Sequence, residues 1–502
     1  MRYSEFLPWD DRQLIINNPT VSGGISNAGD ALTAESLDLW HPVTIWSHQL
    51  DVSLFGSNPD LHHLSALIYH LLAGLALLFC LRQFRIGKDA KAVPVIAIFT
   101  TVALFLLHPM HVESWAWLSE RKDTLSAIFG FLSLGFWLKF SQQAKPKHYA
   151  WALGFFALGL MSKPILFVWP AIMFLTVKLN SSQIKPLRKS VIELIPFVVL
   201  ALATVYITIS IQQNDASNKL QILQTRSISE SAIVGVHNLG VYASKIVAPV
   251  DLSYFYIPIK TIPWLGFSLS LVALTITGFI SYKYRKAKPV IAWSFLTYLV
   301  LLIPVCGFIM SGESNAPDRY SYLSYLGPFM LLALGYHWLT KHWNTYSKYT
   351  IAVILFCLVP GWFSIKRATD WRTMETLTNA TLKHDSKHPY ALLHQATYQR
   401  KKGNTTKAIS LYEQALNAQP ANRYHWAELG LLYEQDEQRV KAKEAFEKQL
   451  EHRPAQATAF LALAQFSLEA NNQVKAIQYL NQGKASFPQH PEINRVLNAL
   501  TD

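Results

Sequence analysis

The sequence predicts an all-α chain: a polytopic helical membrane domain followed by a C-terminal solenoid of short helices. Three observations predict it. Residues are 51% hydrophobic and only 15% charged, with positive mean hydropathy, where a soluble chain carries about a quarter charged residues. The apolar residues fall in runs of the length that a hydrocarbon layer of about 30 Å selects. From Arg372 the composition turns polar and a 34-residue period sets in. The expected organisation is a polar first outer loop over residues 1–61, a multi-span domain over 62–368 and a repeat domain over 369–502.

The first stretch, Met1–Leu61, holds eight carboxylates against two arginines and includes Trp9-Asp10-Asp11. Ten spans are expected after it: Leu64–Leu81, Val93–Leu107, Leu125–Leu138, Tyr149–Met161, Ile165–Val177, Val191–Ile211, Trp264–Tyr282, Val290–Ile309, Tyr322–Trp338 and Tyr349–Phe363. Ala232–Val247 contains Gly235, His237, Asn238, Gly240 and Lys245. It reads instead as a helix on the membrane surface or dipping into it.

Charge sets the orientation. The formal net charge of +13 could suggest nucleic acid, but much of the excess lies in short loops. Arg82/Arg85/Lys88/Lys91, Lys139/Lys145/Lys147, Lys178/Lys185/Arg188/Lys189, Lys283/Arg285/Lys286/Lys288 and Lys341/Lys348 belong on the cytoplasmic side, because basic loops stay there. Alternation then sends Met1–Leu61, Pro109–Asp123, Gln212–Pro263, Ser311–Arg319 and the repeats to the far side. That side is the periplasm of a bacterial inner membrane, or the lumen if the chain is eukaryotic. An outer N-terminus with no span before it implies either a first helix upstream of Met1, the favoured reading, or a short tail translocated with the first hairpin. Cys80, Cys306 and Cys357 lie in apolar runs with neither metal nor disulfide spacing.

In the polar tail, Pro420, Pro454 and Pro488 are 34 apart, as are Ala408, Ala442 and Ala476, and Tyr412, Phe446 and Leu480. A small residue lets paired helices approach, a large apolar one fills their groove, and proline ends the second helix. This is the pattern of tetratricopeptide repeats, here three over Pro389–Glu492 with a half repeat from Trp371. Such arrays offer a concave face to a protein partner; packing or assembly is the plainer use.

The chemistry-bearing residues gather on the outer side. Asp10-Asp11 lies between Trp9 and Arg12, and Trp40-His41-Pro42 and Trp46-Ser47-His48 share its loop. The second outer loop holds His108, His111, Glu113 and Glu120-Arg121-Lys122-Asp123, and the last ends in Asp318-Arg319-Tyr320. An acid pair near a membrane is commonly a solvated loop or a helix cap; its company here suggests more. Glycosyl transfer from a lipid phosphate needs a carboxylate to take the proton of the attacking hydroxyl and cations to hold the departing phosphate. Asp10 or Asp11 is the expected base. Arg121, Lys122 and Arg319 are expected to bind phosphate, and His41, His111, Glu113 and Asp318 to complete the substrate site. The plainer reading of Arg121/Lys122 is a cap on the next span, neutralised by Glu120 and Asp123. His108 and His111 more often bond locally than ligate a metal, so no metal site is assigned.

The ordered set Trp9-Asp10-Asp11 with Asn18-Pro19, His108-Pro-x-His111-x-Glu113, Glu120-Arg-Lys-Asp123, Met161-Ser-Lys-Pro164 and Asp318-Arg-Tyr-x-Tyr322, followed by the repeats, resembles one family. It is the transmembrane and tetratricopeptide-repeat family of O-mannosyltransferases and their bacterial relatives, of GT-C glycosyltransferase fold. The resemblance covers nearly the whole chain. It implies inverting transfer of a sugar from a polyprenyl-phosphate carrier to a protein hydroxyl, with no cofactor required, and maps the family's acidic pair onto Asp10-Asp11. The implied partners are the lipid-linked donor, a protein acceptor and the bilayer, not nucleic acid. Relatives carry a transmembrane helix before the acidic pair; here nine residues precede it. Two alternatives remain: an oligosaccharide transferase using a lipid-diphosphate donor, with a divalent metal, or a non-catalytic membrane scaffold for envelope proteins.

Overall fold

The computed structural model describes residues 4–37, 39–86, 91–179, 187–214, 227–257, 259, 261–308, 314–340, 346–418, 425–451 and 456–501. Lys88, Lys185, Lys341, Pro420 and Pro454 of the sequence reading lie outside these. The chain divides into two compact units, Met1–Thr373 and Met374–Asp502.

In the first unit a helix stands at every expected span. Four helical stretches among the described residues are long and apolar enough to cross a membrane: Pro59–Leu81, Leu118–Gln143, Lys189–Ile211 and Trp264–Tyr284. Val95–Leu107 and Pro109–Ala116 make a fifth only if taken together, and they bend by 55° at His108. The cause is Pro109, whose ring cannot continue a helix and which withholds an amide donor. Pro289–Leu302 is shorter than the expected Val290–Ile309. Pro304 follows it, and Gly307, at φ +107°, turns the chain there as only glycine readily does. The expected Tyr322–Trp338 span is broken into Ser321–Ser324 and Leu326–Thr340. Ala232–Val247 forms the helix Ile228–Lys245, opened by a capping box in which Ser227 and Glu230 exchange hydrogen bonds.

Packing separates interior from lipid-facing surface. Phe105, Phe131, Trp137, Trp169, Phe197, Tyr325 and Phe329 interlock in one buried core. Along Trp264–Tyr284, Leu265, Leu269, Val272 and Phe279 are all more than half exposed, an apolar surface that suits hydrocarbon. The described sheet is a single two-residue antiparallel pair, with Arg85 opposite Ala92 and Ile86 opposite Lys91.

The stretch expected as the first outer loop is folded, with a core of its own. Phe6, Leu14, Ile15, Val21, Ala31 and Ile45 pack with Ala66 and Leu118. Four hydrogen bonds pin its course: Trp46 donates to the Ala28 carbonyl, Trp40 to Leu32, and the Gln49 amide to Thr20 and Asn27. The helix Pro42–Phe55 then lies against the start of the Leu118–Gln143 stretch.

The second unit is a stack of antiparallel helix pairs. Met374–His384 precedes Pro389–Lys401 with Thr405–Ala418, His425–Gln435 with Arg439–Glu451, and Ala457–Glu469 with Gln473–Ser486, and Pro491–Thr501 closes the array. Ala408, Ala442, Ala476, Tyr412, Phe446 and Leu480 are all fully buried. A fourth column appears only in the structure: Gly403, Glu437 and Asn471, also 34 apart, each take the left-handed conformation that turns the first helix into the second. The boundary falls at Met374 rather than 369. Trp371 is not part of a half repeat; it is buried in the first unit, stacked on Trp117 at 5.8 Å.

Candidate active site

The two acids of Trp9-Asp10-Asp11 have different surroundings. Asp11 is fully buried. Its Oδ1 accepts from the Ser119 amide at 2.9 Å and the Ser119 hydroxyl at 2.6 Å, and its Oδ2 from the Leu7 amide at 3.2 Å. It therefore latches the first outer loop onto the second. Asp10 is half-buried, beside Trp9, which stacks on Tyr254 at 5.2 Å and meets Trp117 edge-on at 6.2 Å.

Burial raises the Asp11 carboxyl to about 6, against the pull of the Ser119 and Leu7 donors, and the Asp10 charge adds to the rise. A carboxyl raised in the folded state binds more protons there than when unfolded between about pH 4 and 6. Its contribution to stability is then full below pH 4 and lost as pH climbs through 6. The span of that loss is roughly 3 kcal/mol. Asp11→Asn, uncharged throughout, is expected to flatten the fall in melting temperature between pH 4 and 7, which thermal unfolding across that range will read.

A second cluster lies at the start of Arg121–Gln143. Glu120 meets Lys122 at 3.2 Å, Lys163 at 3.1 Å and Arg319 at 3.4 Å. Lys163 reaches Asp123 at 2.6 Å, and the Ser114 hydroxyl donates to Asp123 at 3.0 Å. Arg319 binds Glu113 at 2.5 Å through its guanidinium and at 3.1 Å through its amide, and lies 5.5 Å from the Trp117 ring. Burial alone would lower the Lys163 ammonium, but Asp123 and Glu120 outweigh it and raise it above the ordinary lysine range. Three cations face three carboxylates, so the cluster is neutral as it stands.

Arg121 turns away from this cluster. It is fully buried, 2.5 Å from Asp51, with further bonds to the Ser47 and His62 carbonyls at 3.2 Å. Its guanidinium ties Pro42–Phe55 to Pro59–Leu81, with Nε left without a hydrogen-bond partner among the described residues. His41 is buried near Lys122, and neither ring nitrogen has a hydrogen-bond partner among the described residues. Burial first, then Lys122, lowers it to about 3, with Lys163 adding to this and Glu120 opposing, so the ring is neutral at pH 7. His111 donates through Nδ1 to the Phe105 carbonyl at 2.7 Å and packs on Tyr322, inside the break between helices. Among the described residues no three His, Cys, Asp or Glu are grouped to hold a metal.

Asp318 anchors a third network. Its Oδ1 accepts from the Tyr256 hydroxyl at 2.5 Å and lies 3.5 Å from Lys245, and its Oδ2 lies 3.8 Å from Arg367. Lys245 donates to the Tyr256 hydroxyl at 2.8 Å. The sequence reading passed over Asp51, Lys245, Tyr256 and Arg367. Lys245 did carry a signal, a lone ammonium closing a largely apolar helix, where an ionisable group asks for a partner. Lys163 was visible within Met161-Ser-Lys-Pro164 but was given no role.

Comparisons with known proteins agree with this architecture. The tetratricopeptide repeat family matches residues 433–500. The protein O-mannosyl-transferase F38B6.6 of Caenorhabditis elegans is 21% identical over 400 residues, covering 74% of this chain and 54% of the relative. Protein O-mannosyl-transferase TMTC1 is 27% identical over 134 residues in Homo sapiens and over 137 in Mus musculus, each match covering 25% of this chain and 14% of the relative. The chain thus spans about half the length of the nematode relative. With the acid pair, the charged loops and the repeats following one another along the chain, it resembles the transmembrane and tetratricopeptide-repeat family of O-mannosyltransferases.

Proposed function

We propose that this chain is a membrane glycosyltransferase that moves a sugar from a polyprenyl-phosphate carrier to serine or threonine hydroxyls of an exported protein. The likeness over 400 residues to a protein O-mannosyl-transferase carries this reading. Asp10 is the base. Asp11 spends both oxygens on Ser119 and Leu7 and so acts by position, holding its neighbour at the outer face. Asp10 takes the proton as the acceptor oxygen attacks the anomeric carbon from the side opposite the phosphate. The carbon–oxygen bond to the phosphate breaks, the lipid phosphate leaves with the electron pair, and the configuration inverts. No metal or organic cofactor is needed for that chemistry. The site works at the outer face of a bacterial inner membrane, and the repeats hold the protein acceptor.

The purified full chain is expected to transfer radiolabelled sugar from a polyprenyl-phosphate donor to a serine- and threonine-bearing protein, with no loss on chelation. Removing residues 374–502 should lower transfer to protein at least tenfold more than it lowers donor hydrolysis. A folded chain that moves no label would overturn the reading, and transfer abolished by chelator would favour a lipid-diphosphate donor.

A further inference from the structure

We propose that Lys245 and Arg367, and not the Glu120 cluster, hold the phosphate of the lipid-linked donor. The inference rests on the transferase reading for its ligand and on separate observations for its place.

Charge decides between the two sites. Lys122, Lys163 and Arg319 are matched by Glu113, Glu120 and Asp123 in contacts of 2.5 to 3.4 Å. A phosphate entering there would have to break buried ion pairs, each costing several kcal/mol. Around Asp318 the balance differs. One buried carboxylate faces two cations that are themselves nine-tenths buried, Lys245 and Arg367. The three carry a net charge of +1, which a phosphodiester monoanion would cancel. The contacts are also loose. At 3.5 and 3.8 Å they are longer than the pairs of the neutral cluster, and Arg367 Nη2 and Asp318 Oδ2 have no hydrogen-bond partner among the described residues. An unsatisfied buried guanidinium nitrogen is costly unless something fills its geometry. Asp370, 3.9 Å from Arg367, is a second carboxylate beside it, but it is 29% exposed and its pull is the weaker for that. Both cations end helices, Ile228–Lys245 and Tyr346–Asp370, where the helix dipole favours positive charge. That explains why cations stand there. It does not explain why Arg367 Nη2 is left without a hydrogen bond among the described residues.

The surroundings point to a phosphate with a hydrocarbon tail. Below Arg367 on its own helix, Leu358, Val359, Trp362, Phe363 and Ile365 are all about half exposed or more. Val359, Phe363 and Arg367 stand four residues apart along one row of that helix. An apolar strip of this kind that ends in a buried cation suits a polyprenyl chain whose head reaches the guanidinium. Trp371, 5.8 Å from Arg367, stacks on Trp117, and Trp117 meets Trp9. A chain of aromatic contacts therefore joins the phosphate site to the residue beside Asp10.

The test is binding of farnesyl phosphate to the full chain in detergent, with inorganic phosphate and farnesol as separate probes. Farnesyl phosphate is expected to bind, and Lys245→Gln or Arg367→Gln should each weaken it at least tenfold. Arg367→Lys should restore part of the loss, and Lys366→Gln, an exposed neighbour, should stay within twofold. Unchanged melting temperatures keep folding out of the comparison. Equal affinity for inorganic phosphate would overturn a lipid ligand; equal affinity for farnesol would overturn an anion site. Binding indifferent to both substitutions would overturn the assignment even in an active transferase. Binding that depends on both, in a chain that moves no sugar, would leave this site standing and remove the transferase reading.

Discussion

Asp10→Asn is expected to lower sugar transfer by a factor of about 10² to 10⁴ while leaving the fold intact, the range that a positioned general base contributes. That factor corresponds to roughly 3–5 kcal/mol in the barrier. Asparagine has nearly the shape of aspartate and still forms hydrogen bonds, but it cannot accept a proton. Asp10 is only half-buried, so the exchange costs little packing. Donor binding should survive, because the phosphate contacts proposed above lie on other residues. Initial rates at saturating donor measure the loss. A larger loss in Asp11→Asn, with folding intact, would transfer the role of base to Asp11.

The second large effect is on stability. Asp51→Ala is expected to destabilise the first unit by about 3–5 kcal/mol, the cost of leaving a buried charge without its partner. Arg121 is fully buried and its carboxylate contact is Asp51 at 2.5 Å; two carbonyls remain, but no countercharge. Asp51 also accepts from the Ser65 hydroxyl at 2.8 Å, which would lose its acceptor. Replacing both charges, as Asp51→Ala with Arg121→Leu, should recover most of the loss. Thermal unfolding in detergent reads both changes. If the double variant transfers sugar at near-normal rates, Arg121 has no part in binding the donor.

Much of this architecture could be read from the residues. The apolar runs located helices at ten positions because burial in lipid leaves a long compositional trace. Three columns at a spacing of 34 located the repeats because each buries a side chain against the next pair. Where helices break was harder: Pro109 marked its bend, but the early end of Pro289–Leu302 depends on a left-handed glycine five residues further on. In the site, composition showed acids and cations recurring in the polar loops between apolar runs without showing which acid meets which cation. Adjacent positions in one helical turn point in different directions, so Arg121 and Lys122 went together in sequence and apart in space. Asp51 and Arg367 could not be singled out, because Arg121 and Asp318, the charges that meet them, lie far away along the chain.

Asp318 and Arg319 are consecutive in a single 3-10 turn, yet one serves Tyr256, Lys245 and Arg367 while the other serves Glu113 and Glu120. Inserting or deleting one residue there would rotate the turn by about a third of a revolution and withdraw one of the two side chains. From Pro317 onward the length of this loop is therefore set by two networks at once, and a change of one residue there keeps at most one of them.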